Sequence, residues 1–269
     1  MTLNIKAIGS FRSDKENIEL KKELKTKYNL DTRRQDAFIH LALIGAQRLK
    51  EKIIIKSNTE LYITSDIGNI DILQKTHDYV IEKKQFIRPF DFINMLGNTA
   101  SYYVATSLNI KDKNIYQISD NFTFINSLIS IYASLNSTNK NAILGAVDLV
   151  SQPDIINKRL LDVCDDVKLV SSSSYQFLST NDEGSIAELK FSTSSFMYDE
   201  IKDFIDSNTK SNIILSKRCK KFYLNKNISF CETILSSLIN ENIELKKDFI
   251  YIDCYDEKYK KIILTNKLN

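Results

Sequence analysis

Residues 89–110 read PFDFINMLGNTASYYVATSLNI, residues 113–135 KNIYQISDNFTFINSLISIYASL, and residues 141–148 NAILGAVD. The first segment opens on proline and carries small and apolar residues at helical spacing, which predicts a helix over 89–108. The second begins as a short β-rich strand, 114–118, and passes through Ser119-Asp120-Asn121 into an apolar helix over 122–135. The third predicts a buried strand, 142–147. A strand, a tight turn, a buried helix and a second strand therefore follow one another within sixty residues. Asp120 and Asn121 stand just before Phe122-Thr123-Phe124, where a short polar side chain satisfies free amides at a helix start.

Working outward, 3–9 alternates apolar and polar and reads as a first strand. Arg34 to Leu49 is a helix with Phe38, Leu41, Ala42, Gly45, Ala46 and Leu49 on one face. A short strand, 61–65, ends at Asp66-Ile67-Gly68, and a helix follows over 70–83. Beyond 148 a helix is expected over 154–163. The serine run 171–174 reads as a loop. Strands over 175–179 and 185–191 flank Asn181-Asp182-Glu183-Gly184, the pattern of a hairpin loop. Then come helix 195–205, strand 212–215, helix 230–240, and a hairpin of 249–254 with 261–265 across Tyr255-Asp256-Glu257-Lys258. Strands alternating with helices predict an α/β fold with mainly parallel pairing and a sheet covered on both faces.

With 269 residues, 43% hydrophobic and 26% charged, the chain can bury a large core. A net charge of +3 from 37 basic and 34 acidic groups gives no electrostatic footprint for nucleic acid. Cys164, Cys219, Cys231 and Cys254 form no C-x-x-C pair, and His40 and His77 are distant from them. No metal site and no disulfide framework is expected. The first residues lack an apolar signal core, and no window is long and apolar enough to span a membrane; the expected location is the cytoplasm. No linker or internal repeat divides the chain.

Four pieces in this order resemble the β-ketoacyl synthases. Arg33-Arg34-Gln35-Asp36-Ala37-Phe38 with Leu41-Ala42-Leu43-Ile44-Gly45-Ala46 is similar to that family's arginine-led helix. Leu61 to Gly68 is similar to its strand and glycine turn. Asn98, Ala100 and Ala105 match the helix before the nucleophile strand, and Gly145 to Asp148 match the strand after it. The resemblance implies a thiolase-like layered α-β-α-β-α fold forming one domain over 1–269. Residues 1–195 would be the N-terminal half and 196–269 a shortened C-terminal half.

In that family the turn onto the buried helix carries a cysteine, and the C-terminal half supplies two histidines. A thiolate at a helix start accepts the acyl chain, and the imidazoles act on the malonyl thioester. Counting back from Gly145 puts Asp120, or Asn121 with a one-residue shift, at the nucleophile position. Neither forms a stable thioester, and no histidine follows His77. His40 reads as a packed structural residue and His77 as a solvated one. The resemblance thus implies a non-catalytic subunit, without a cofactor, similar to the chain-length factors of type II polyketide and aryl-polyene systems. It would form a heterodimer with a full-length β-ketoacyl synthase. Met95, Asn98, Tyr102, Ile118, Phe122 and Phe124 are the tunnel and interface candidates. In the family, the strand matching 114–119 pairs across a two-fold axis with the helix matching 95–105 beside it. Lys217, Arg218, Lys220 and Lys221 are candidates to face an acidic acyl carrier protein. Two other readings stand beside this one: a decarboxylase or acyltransferase using Asp120 or Asn121, and a stand-alone module binding an acyl chain or carrier protein.

Overall fold

The computed structural model describes residues 1–118, 122–161, 165, 168–216, 219 and 231–267, with backbone alone for 231–234. In chain order the elements are β1 (Thr2–Arg12), α1 (Leu20–Thr26), α2 (Ala37–Lys50), β2 (Glu60–Thr64) and α3 (Ile70–His77), which runs on into a π-helical turn, Asp78–Glu82. Next come α4 (Pro89–Met95), α5 (Asn98–Leu108), β3 (Asn114–Gln117), α6 (Thr123–Thr138), β4 (Asn141–Asp148), α7 (Ile155–Leu160) and β5 (Ser172–Ser179). The chain ends with β6 (Ala187–Phe191), α8 (Tyr198–Ser207), β7 (Ile213–Leu215), α9 (Cys231–Glu244), β8 (Phe249–Tyr255) and β9 (Lys258–Asn266).

The strands pair in the order β3-β2-β4-β5-β1-β6-β9-β8-β7. From β1 outward, β5 and then β4 are joined by antiparallel pairings, and β2 and β3 are added in parallel. From β6 outward, β9 and β8 are joined antiparallel and β7 is added in parallel. The second series repeats the first but stops one strand short among the described residues. The two series meet where Thr2–Ile5 of β1 pairs with β6.

Three apolar clusters give the layers. Phe38, Leu41, Ile44, Val104 and Leu108 of α2 and α5 pack on one face of β1, β2, β4 and β5. α6 and α9 fill the middle: Phe124, Leu128, Ile131, Leu235 and Ile239 belong to one cluster with Leu144 of β4 and with Tyr251 and Leu264 of β8 and β9. Residues from opposite ends of the sheet share one cluster, so the sheet folds around these two helices. Ile201 of α8 covers the outer face of β8 and β9 with Ile252 and Tyr259. The order is helix, sheet, helix, sheet, helix, as the α/β layered fold requires.

Helix α2 is buried along most of its length because it lies between the sheet and two other helices. Asp36 starts it by accepting the Ile39 amide at 3.0 Å. Gly45 lets it approach the sheet: a Cβ there would lie 2.3 Å from Ser173 Oγ.

Several expectations need correction. Pairing is mainly antiparallel, since β1 inserts between β5 and β6 and runs against both. Helix–strand alternation fixes the connections and leaves sheet neighbours open. For the same reason Asn181–Gly184 is not a hairpin loop: β5 and β6 flank β1 and do not pair with each other. Ser172–Ser174 form the buried start of β5 rather than a loop, and Ser174 and Gln176 bond to Ser237 and Asn240 of α9. The single helix over 89–108 is two, broken at Leu96–Gly97, where Gly97 packs on the Tyr116 ring. Helix α1 was not expected.

Candidate functional site

The turn from β3 onto α6 is the centre of the site. Asp120 and Asn121, the residues assigned by counting, lie outside the described residues. The last residue before α6 is Phe122, at φ 48° and ψ 31°. A left-handed bulky residue costs about 1–2 kcal/mol and persists only where packing fixes it. Packing does so here, because Phe122 is 6% exposed and belongs to the central core. The helix then dives between the layers, and Ser127 Oγ ties it back to the strand by donating to Gln117 Oε1 at 2.9 Å.

The β8–β9 hairpin closes over this elbow. Its turn, Asp256-Glu257, has positive φ at both residues, as a tight two-residue hairpin needs. The Tyr255 ring meets the Phe122 ring edge-on, with centroids 6.5 Å apart. Lys260 Nζ stands 5.4 Å from the Phe122 centroid and donates to Asn126 Oδ1 at 3.3 Å. Burial depresses the Lys260 pKa.

The parallel strands end nearby in a polar lock. Asp148 Oδ1 accepts from Ser65 Oγ at 2.7 Å and from the Asp66 amide at 2.9 Å, while Ser65 Oγ accepts from the Gly68 amide at 2.8 Å. Burial, followed by the Asp148 charge, pushes the Tyr116 phenol upward. In the other half Asp253 Oδ1 accepts from Ser216 Oγ at 2.5 Å and from the Cys254 amide at 2.8 Å. Cys219 sits beside that lock with no exposed surface, and its thiol is pushed up to about 12 by burial. A thiol so placed is neither ionised nor reachable, so Cys219 is not a candidate nucleophile.

Neither histidine reaches the elbow. His40 lies in α2, in the outer helix layer, and burial lowers its pKa. His77 is surface-exposed beside Asp78 at 3.6 Å.

The six tunnel and interface candidates separate into two groups. Phe122 and Phe124 are buried at the start of α6. Met95, Asn98, Tyr102 and Ile118 lie on α4, α5 and the end of β3; Met95 is half-buried and the other three are exposed. They flank the outer edge of β3, the terminal strand of the sheet. Sequence reasoning missed the apolar surface that continues from there. Ile81, Phe86, Phe92 and Leu96 are exposed, Phe86 by 98%. Cations interleave with them: Arg34 lies over the Phe90 ring at 4.4 Å and Arg88 over Tyr79 at 5.3 Å. The signal was present as Phe and Ile among Lys and Arg over 79–96 without a buried helical face. Lys217, Arg218, Lys220 and Lys221 lie outside the described residues.

No protein-family model matches the sequence, and no curated protein matches it. Solved structures do. The ishigamide ketosynthase/chain length factor superposes with a TM-score of 0.70 at 7% identity, over 98% of this chain and 99% of that one. A β-ketoacyl synthase from Burkholderia phymatum gives 0.64 at 8% identity, with the same coverage. A ketosynthase in complex with its chain length factor from Xenorhabdus doucetiae gives 0.60 at 9%, again over 98% and 99%. The chain therefore has the thiolase-type fold of these proteins.

Proposed function

We propose that this chain, a protein of the ketosynthase-type thiolase fold, is a non-catalytic subunit that pairs with an active β-ketoacyl synthase in the cytoplasm and shapes its acyl tunnel. The observation that carries this reading is the elbow. A strand, a residue in the left-handed conformation and a buried helix follow one another there, and the described residue in that conformation is a phenylalanine. Neither histidine of the chain is near it. Phe122 supports a role in limiting a growing chain, because its ring fills the space in front of α6 together with Tyr255.

The outer edge of β3 supports the pairing. It is terminal in the sheet and lies beside exposed Tyr102 and Ile118. Unpaired strand edges with apolar neighbours are ready to be covered by another chain. Lys217, Arg218, Lys220 and Lys221 are proposed as the contact for an acidic acyl carrier protein. The chain is proposed to be a single domain of two related halves, with Asp120 or Asn121 vestigial at the turn. The repeated strand order supports a junction between β5 and β6, in the 180–186 loop, rather than at 195.

The test is co-expression with a full-length synthase that carries its cysteine and two histidines. Co-purification as a one-to-one complex and a change in product length on Phe122→Ala are expected. Full synthase activity with unchanged products in the absence of this chain would defeat the reading.

A further inference from the structure

We propose that Lys260 is the cationic end of a binding site for a free carboxylate carrying an apolar chain, built against the Phe122 ring. Lys260 lies on the inner face of β9 and is 8% exposed. Among the described residues its ammonium meets the Asn126 side-chain oxygen at 3.3 Å and the Phe122 ring at 5.4 Å. One is a neutral dipole and the other a π face; neither carries a full charge.

The nearest acidic residue by pairing is Asp253, directly across from Lys260 on β8. Its Oδ1 is engaged by Ser216 and the Cys254 amide instead. Among the described residues no carboxylate lies within ion-pairing reach of Lys260. Among the described residues the groups facing it are Asn126 of α6, Phe122 just before α6, and Asp253 and Tyr255 of β8.

Taking an ammonium out of water costs several kcal/mol unless an opposite charge accompanies it. Such a group in a folded protein marks a place where an anion belongs. The surroundings restrict which one. A single cation suits a monoanion, and a carboxylate accepts two hydrogens from one ammonium. The Phe122 and Tyr255 rings form an apolar wall beside it, and Tyr255 is 38% exposed, so the wall reaches solvent. An uncharged thioester would gain little from Lys260. The fit is to an aliphatic monocarboxylate, entering past Tyr255 with its head on Lys260.

This inference is independent of pairing with a synthase, and its test uses the full chain alone. Octanoate and 1-octanol are titrated into the purified protein by calorimetry, and the titrations are repeated with Lys260→Gln and Lys260→Met. Octanoate is expected to bind at least ten-fold more tightly than octanol, and both variants are expected to lose that preference. Urea melts of the ligand-free proteins accompany the titrations, with Lys260→Met expected to be at least as stable as the parent. Equal binding of the two probes, or none, overturns the proposal. So does a variant that keeps the preference. A marked loss of stability in Lys260→Met also overturns it, since that would reveal an internal counter-charge.

Discussion

The Ser65 hydroxyl donates to Asp148 across 2.7 Å, at the point where β2 and β4 finish side by side. Ser216 donates to Asp253 across 2.5 Å where β7 and β8 run side by side. In both places a serine just past one parallel strand closes onto an aspartate of its neighbour, and both carboxylates are buried. The same device recurs in the two series of strands, so it belongs to the architecture and not to a local accident of sequence.

Removing the acceptor should be costly. In Asp148→Ala the Ser65 hydroxyl and the Asp66 amide lose their partner inside the protein. A loss of about 3 kcal/mol or more in urea unfolding is expected, against about 1–2 kcal/mol for Ser65→Ala. Equal and small losses for the two variants would mean that the lock contributes little.

Gly145 is expected to tolerate no side chain. A Cβ there would fall 2.2 Å from Tyr175 Cε1, in the middle of paired strands where neither backbone can yield. Gly145→Ala should destabilise by about 2–3 kcal/mol through overpacking. Trimming the ring in Gly145→Ala/Tyr175→Leu should recover part of that loss. A double variant no better than the single one would place the strain elsewhere.

Stability should fall in mild acid, and His40 should carry part of the fall. Burial lowers its folded pKa below the unfolded value. Its contribution is therefore complete above about pH 6.5 and shrinks as the pH drops toward the folded pKa, because the unfolded chain binds the proton first. The slope from one such group is at most about 1.4 kcal/mol per pH unit. Urea midpoints measured from pH 7.5 to 5 should show a shallower decline in His40→Asn. Parallel declines in parent and variant would assign the effect to other groups.

The edge of β3 offers a test of pairing that leaves the fold alone. Tyr102 and Ile118 are 61% and 46% exposed, so Tyr102→Asp and Ile118→Lys should leave the melting temperature of the single chain nearly unchanged. Charge placed in a buried contact should weaken association with the synthase at least ten-fold, about 1.4 kcal/mol, by sedimentation or light scattering. Unaltered affinity would move the interface to another face.

Much of this was legible in the chain because strands and helices here announce themselves by period. The stretch around Ile143 and Leu144 is apolar and β-rich, and it is a strand buried on both faces. Phe38 and Leu41 repeat at helical spacing, and they lie in a buried helix. What was not legible came from distance in space. Leu20–Thr26 buries only Leu24, too little apolar surface for a periodicity to emerge. Sheet neighbours depend on where β1 inserts, which no local pattern encodes. At the site, the second strand of the last hairpin was expected only from 261, whereas it begins at Lys258. Strand alternation turns Lys260 inward toward α6 while Lys261 stacks on Phe204 on the opposite face. Asp120 and Asn121, placed at the turn by the offset from Gly145, lie outside the described residues; the left-handed residue described at the start of α6 is Phe122.

The two rims of the sheet are unequal. At one end β3 presents four residues flanked by greasy side chains; at the other, among the described residues, β7 contributes three. In the proposed pairing, a two-fold contact of the β3 rim with a like rim is self-complementary and closes on itself as a pair.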